Sequence, residues 1–373
     1  MLSRISARAY STAPVKLVSR DATGNLSTLS VVVNNAGSKV GKAGVPHLLS
    51  KFGFLNNEVK SALRFTREAE LLGGAFSSEV TRDAIVLSAQ FLKKDLPYFV
   101  ESLGNAVAKP SFRPHEFTET VKPTALAESA AAHACPEFVA LEALHQQSFR
   151  KGLGQPLYYS ANQSVTFDDV KEFAASAFTA GNVSIVASGV NEADLAEFVA
   201  ESAFAGLPAG STSAPAVTTF TGAETRIASS GASVAAFAIP VAKADYAAYE
   251  VVAAAAGTST LVGSAAPLSK IPGADSKLFK YQDAGLFVVS VTGADAHAVA
   301  SGIKAAKQAV ASLSASALSG AVKAAELSVA LQDSFEFSHN IKVSADSGKN
   351  FKLGPFNYVA VGNTDVLPYA DEL

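Results

Sequence analysis

The second half of this 373-residue chain retraces the first. The segment SVAAFAIPV (233–241) takes the place that STLSVVVNN occupies at 27–35. DAIVLS (83–88) is echoed by DAGLFVVS (283–290), and GNVSIVASG (181–189) by FNYVAVGN (356–363). The three echoes keep their order while the spacing drifts between about 175 and 206 positions, as insertions cause. A repeat of about 180 residues is the size of one domain, so the pattern predicts two homologous domains, each with its own core. Each half alternates strand-like and helix-like stretches and includes hairpin-like neighbours. That combination predicts an α+β fold, each domain a mixed sheet covered on one face by helices. Residues 206–222, GLPAGSTSAPAVTTFTG, lack helical periodicity and read as a linker. The expected division is 1–14 as a tail, 15–205 as the first domain, 206–222 as the linker and 223–373 as the second domain.

Along the first half, LSTLSVVVNN (26–35) is β-branched and alternating, a strand signal. Residues 58–72 carry helical periodicity and stop at Gly73-Gly74. AFSSEVTRDAIVLSAQF reads as two strands around Thr81-Arg82-Asp83, followed by a helix that opens near Asp95 and Pro97. The stretch 112–133 is helical with a kink expected near Pro123. Helices follow at 137–150 and 168–178, a strand at 181–190 and a helix after it. The longest uncharged run, 251–269, is diluted by glycine, hydroxyl residues and proline. It reads as a helix and a loop, not a membrane span.

The N-terminus MLSRISARAYSTAPVKLVSRD has three arginines, several serines and no acid before Asp21. Arg4 and Arg8 share one face of a short helix, the composition of a mitochondrial transit peptide. Cleavage is expected to leave a mature chain starting near Ser11. Elsewhere the chain is 49% hydrophobic and 17% charged, with a net charge of −3, which argues against nucleic-acid binding through bulk charge. The single cysteine, Cys135, excludes an intrachain disulfide framework and any multi-cysteine metal centre. No haem-attachment motif is present, so no cofactor is expected.

Residues 44–54, GVPHLLSKFGF, carry the one pattern with catalytic meaning. An inverted zinc-protease helix reads H-x-x-E-H, with two histidines ligating zinc and the glutamate activating the bound water. His47 fills the first ligand position. Ser50 stands where the base belongs and Lys51 where the second histidine belongs. Protonated lysine has no lone pair to donate, and serine has no carboxylate to take a proton at neutral pH. Zinc catalysis needs three protein ligands and an open position, so neither metal binding nor catalysis is expected here.

The stretches GVPHLLSKFGF, SALRFTREAELLGGAFSS, FLKKDLPYFVESL, FRKGLGQPLYY and FKLGPFNYVAVGNTDVLPYADEL resemble the pitrilysin-type metallopeptidases, and in particular the mitochondrial processing peptidase group. The resemblance runs from the first domain to the C-terminus and implies a duplicated inverted-zincin fold. It also implies a third zinc ligand on a distant helix, and Glu128 occupies that spacing. The Arg and Tyr that active members carry on the second domain have no counterpart in SAAPLSKIPG (264–273), which offers only Lys270. GTSTLVGS (257–264) does not match the group's glycine-rich recognition loop. Within the group the chain is similar to the core subunits of fungal respiratory complex III, ubiquinol–cytochrome c reductase. That similarity implies a non-catalytic subunit, peripheral on the matrix side of the inner membrane and needed for assembly. Its implied partners are a first core subunit, cytochrome b, cytochrome c1 and the other subunits of a dimeric complex. The alternatives are a subunit of a presequence-processing peptidase with a catalytic partner, and a free matrix peptide-binding protein.

Four further groupings read as structural. His115, Glu116 and Glu119 follow Pro114, so the acids suit a helix N-terminus. His133 and Cys135 precede Pro136 at a helix end. His145, His297 and His339 have no partner visible in the sequence. Lys151-Gly152-Leu153-Gly154 lacks the spacing of a phosphate loop and reads as a turn.

Overall fold

The computed structural model describes residues 15–261, 265–332, 339–344, 346–349 and 351–373. The expected transit peptide, 1–14, and the end of GTSTLVGS lie outside them. In chain order the strands are β1 (Lys16–Arg20), β2 (Leu26–Asn34), β3 (Ala75–Val80), β4 (Ala84–Leu92), β5 (Val183–Ser188), β6 (Glu224–Ala228), β7 (Ser233–Ala242), β8 (Ala274–Lys280), β9 (Ala284–Gly293) and β10 (Asn357–Gly362). The helices of the first half are α1 (Val45–Phe52), α2 (Ala62–Leu71), α3 (Leu96–Ala108), α4 (Pro114–Glu116), α5 (Lys122–His133), α6 (Pro136–Phe149), α7 (Phe167–Ala177) and α8 (Glu192–Glu201). Those of the second half are α9 (Tyr246–Ala256), α10 (Ala296–Ala311), α11 (Ala315–Gly320) and α12 (Val322–Gln332). Among the described residues no helix is long and apolar enough to cross a membrane.

The duplication is visible in the sheets. One has the order β1-β5-β2-β4-β3 and the other β6-β10-β7-β9-β8. In each, the outer pair, β1 with β5 and β6 with β10, is parallel and the remaining pairs are antiparallel. The three echoed segments are the three inner strands of each sheet. β1 and β6 carry no such signal, because KLVSR and ETRIA are five-residue, charged edge strands.

The chain forms two compact units, but not at the expected boundaries. The first comprises 1–127 and 157–214, the second 128–156 and 215–373. One crossing therefore falls inside the expected linker, while 128–156, expected within the first domain, belongs to the second unit. Past Gly206, which closes a 3-10 turn, the linker has no helix or strand, yet it is held at two points. Thr212 N–H donates to Asn182 Oδ1 at 2.9 Å, and Phe220 N–H to the Ser148 carbonyl at 2.9 Å.

In the first unit, Leu29, Val31 and Val33 of β2 and Ile85, Leu87 and Phe91 of β4 form one buried face. They pack with Leu48 and Phe52 of α1, Phe99 and Leu103 of α3, Val170 of α7 and Leu195 of α8. Fully burying each such side chain contributes about 1.5–3 kcal/mol. Helix ends are set locally. Ser61 caps α2, Thr166 and Asp169 form a capping box on α7, and Asn191 caps α8. The expected helix at 58–72 starts later, because Asn57 Oδ1 accepts the Val59 and Lys60 N–H groups and turns the chain before Ser61. The irregularity expected near Pro123 lies one turn earlier, as a π-helical stretch at Phe117–Val121. A proline has no N–H to continue the ladder, and the widened turn before it absorbs the defect.

Glu68 of α2 ties that helix to α3. Its carboxylate accepts from Lys60 Nζ at 2.9 Å, Arg64 Nε at 2.6 Å and Tyr98 Oη at 3.1 Å. Lys60, then Arg64, hold its carboxyl at about 2, below the ordinary 4.5. A depressed carboxyl contributes stability that is complete above pH 4.5 and is lost as pH falls toward 2. Solvent screening keeps the contribution below about 1 kcal/mol. Urea midpoints measured across this range are expected to fall more steeply in the native chain than in Glu68→Gln; parallel curves would refute the assignment.

The second unit buries both faces of its sheet. Phe237 and Ile239 of β7 and Phe287 and Val289 of β9 face α9 and α10. On the other face, Val234, Ala236, Leu286 and Val359 pack against Ala140, Leu144 and Phe149 of α6. This corrects the expectation of a sheet covered on one face, and explains why 128–156 belongs here.

Candidate functional site

Helix α1 begins at Gly44, which takes a left-handed φ of 84°, and has Pro46 in its first turn. A side chain at Gly44 would collide with the Gln163 Oε1 and the Tyr159 ring. The segment carrying Tyr158, Tyr159 and Gln163 thus closes directly over the start of α1. All of α1 is buried except Lys51, which is half-buried at the last turn, where its charge suits the helix dipole.

His47 is fully buried, and its Nδ1 accepts the backbone N–H of Tyr159 at 3.0 Å. A backbone N–H can only donate, so this Nδ1 carries no proton and the ring is neutral with its proton on Nε2. The ring also lies against Tyr158, with centroids 4.7 Å apart. The one ligand-type residue left on the helix now serves as a joint between α1 and a loop 112 residues away. Ser50 is turned inward, and its hydroxyl donates to the His47 carbonyl at 2.7 Å. It faces no open space in which a water could be activated. Glu128 lies half-buried on α5, on the second unit's side of the division. His47, Ser50 and Lys51 thus share α1, and Glu128 is carried by α5. Among the described residues no three His, Cys, Asp or Glu side chains form a group able to hold a metal.

Rebuilding the motif as Ser50→Glu with Lys51→His is therefore expected not to create a peptidase. A glutamate at position 50 must enter a packed interior, at a cost of about 1–3 kcal/mol for the added volume alone. Presequence-peptide cleavage by the purified double variant would refute this.

Two of the other histidines are hydrogen-bonded within the fold. His115 and Glu119 are exposed, whereas Glu116 is buried and accepts from the Asn56 N–H and side-chain amide. These groups point apart. His133 Nδ1 bonds the Ser129 carbonyl at 2.8 Å, and Cys135 is the N-cap of α6. Sequence reasoning missed His145. Its Nδ1 donates to the Leu141 carbonyl and its Nε2 bonds Tyr281 Oη, each at 2.7 Å. Tyr246 Oη in turn donates to the Tyr281 carbonyl at 2.8 Å. This chain of bonds fastens α6 and α9 to the end of β8. Its members are 136 residues apart, and no local signal connects them. A cavity of about 400 Å³ lies between α6 and the strands β7, β9 and β8. Of its charged residues, Asp275 is committed to the Ser259 N–H and hydroxyl.

The sequence matches the insulinase family of peptidases, family M16, over residues 16–161. It is 60% identical to the mitochondrial cytochrome b-c1 complex subunit 2 of Debaryomyces hansenii over the full length of both chains. The Saccharomyces cerevisiae protein of the same name is 43% identical, over 95% of this chain and 94% of its own. Among solved structures, an inactive peptidase M16 domain from Pseudomonas fluorescens superposes with a TM-score of 0.76. The match covers 94% of this chain and 96% of that one at 17% identity, a likeness of fold.

Proposed function

This chain belongs to the mitochondrial cytochrome b-c1 complex subunit 2 family, a branch of the family M16 peptidase homologues, and from that membership we propose that it is a non-catalytic structural core subunit of respiratory complex III. It associates with other subunits of that complex in the mitochondrion. Its finer role is to sit peripherally on the matrix side of the inner membrane and to pair with a first core subunit. There it supports cytochrome b and cytochrome c1 in a dimeric assembly that carries electrons from ubiquinol to cytochrome c.

The observation that carries this reading is helix α1. Its fold is intact, but Ser50 is bonded to the helix backbone, a lysine stands at the second ligand position and His47 is spent on Tyr159. A duplicated α+β framework without a general base can act only through its surfaces. Stable subunit contacts need large, well-packed patches. The presequence-peptidase alternative is not favoured, because the full-length relatives are complex subunits. Purification of the native protein from detergent-solubilised mitochondria tests the reading. Comigration with the cytochromes is expected, whereas a soluble particle with peptidase activity, or a monomer, would refute it.

A further inference from the structure

The cavity of about 400 Å³ between α6 and the strands β7, β8 and β9 falls within the range of small-molecule sites, roughly 300–1,000 Å³. Small residues create it. Ala140 of α6, Ala236 of β7 and Gly273, just before β8, leave a gap where α6 crosses the sheet. Gly273 cannot be enlarged, because its φ is 73° and a Cβ there would strike the Thr292 carbonyl oxygen. The walls are apolar, from Leu141 and Leu144 on α6, Val234 on β7 and Val288 on β9. Ser290 and Thr292 also line it, two apart on β9 and therefore on one face of the strand. Both are half-buried, and neither hydroxyl is bonded to another described residue.

The charges decide the class of ligand. The charged residues of the lining are Glu137, Asp275 and Lys277. Two carboxylates against one ammonium oppose an anionic head. A cationic head finds no free carboxylate inside: Glu137 is exposed to water, and Asp275 already accepts the Ser259 N–H and hydroxyl. Either charge would exchange water for an interior whose free polar groups are hydroxyls, and burying an unpaired charge costs far more than burying a hydroxyl. An uncharged head that both donates and accepts suits Ser290 and Thr292, whose hydroxyls do the same.

We propose that this cavity binds a single-chain uncharged amphipath, of the fatty-alcohol or monoacylglycerol type, with its chain against Leu141, Leu144 and Val288 and its hydroxyl on Ser290 and Thr292. Every residue of the site belongs to the second unit, so the inference does not rest on the subunit reading. The test uses the purified full-length chain and the neutral fluorophore N-phenyl-1-naphthylamine, displaced at neutral pH by 1-decanol, decanoate or decylammonium. 1-Decanol is expected to displace it at a concentration roughly tenfold below either charged analogue. Thr292→Val keeps the shape and removes the hydroxyl, and is expected to weaken 1-decanol about fivefold while leaving the fluorophore's own affinity unchanged. Ala236→Phe fills the gap and is expected to abolish fluorophore binding. Circular dichroism establishes which variants are folded, and Thr292→Val decides alone if Ala236→Phe is not. Decanoate or decylammonium binding as tightly as 1-decanol overturns the proposal. So does a native chain that binds no displaceable fluorophore, or unchanged 1-decanol affinity in folded Thr292→Val.

Discussion

Lys280→Met is expected to destabilise the second unit by about 3–5 kcal/mol, a large share of what holds a domain together. Lys280 Nζ lies 3.1 Å from Glu250 Oε1, and the two side chains are 7% and 0% exposed. Both charges have left water, so each is tolerated because of the other. Removing the lysine leaves a carboxylate inside the packing between α9 and β8. The chain must then either bury that charge or take up a proton to neutralise it. The reverse expectation makes the test sharp. Replacing both partners, Glu250→Leu with Lys280→Met, removes the attraction and the desolvation cost together and is expected to return stability to within about 1 kcal/mol of the native chain. Urea unfolding of the three proteins decides the matter. A single variant as stable as the native chain would mean that the pair is hydrated and contributes as a surface pair does.

That pair shows where sequence reading stops. The duplication was legible because the inner strands β2, β4 and β5, and β7, β9 and β10, are apolar or β-branched runs whose pattern survives divergence. Their edge partners β1 and β6 were not, since half-exposed strands tolerate Lys, Arg and Glu. Helix α6 was correctly expected as a helix, but its membership of the second unit was not. It touches the far sheet through Ala140, Leu144 and Phe149 and through the His145–Tyr281 bond. Contacts across more than a hundred residues leave no periodicity to read. The degenerate site divides in the same way. His47, Ser50 and Lys51 are legible because one helix turn fixes their spacing. The present use of His47, as acceptor for the Tyr159 N–H, depends on a loop closing from elsewhere in the sequence. Its pattern identified where a metal site would stand; only the geometry shows the ring serving as a structural joint.

Loss of the whole chain and loss of its surviving histidine are expected to have opposite outcomes. A strain lacking the chain is expected to fail on a non-fermentable carbon source and to lose assembled cytochrome b from its reduced-minus-oxidised spectrum, because a core subunit acts by holding others in place. His47→Asn is expected to respire normally. The asparagine carbonyl can accept the Tyr159 N–H in place of Nδ1, so the joint between α1 and its covering loop is kept while imidazole chemistry is removed. His47→Ala is the informative contrast. It leaves a buried N–H unsatisfied at about 1–3 kcal/mol and adds a cavity beside Tyr158, so its respiratory defect should track the amount of folded protein. Quantifying the chain in each strain separates the two effects. Normal respiration with full cytochrome b in the deletion strain would end the structural-subunit reading. If His47→Asn abolishes respiration while the chain stays folded and assembled, the imidazole has a chemical task that the Tyr159 bond does not account for.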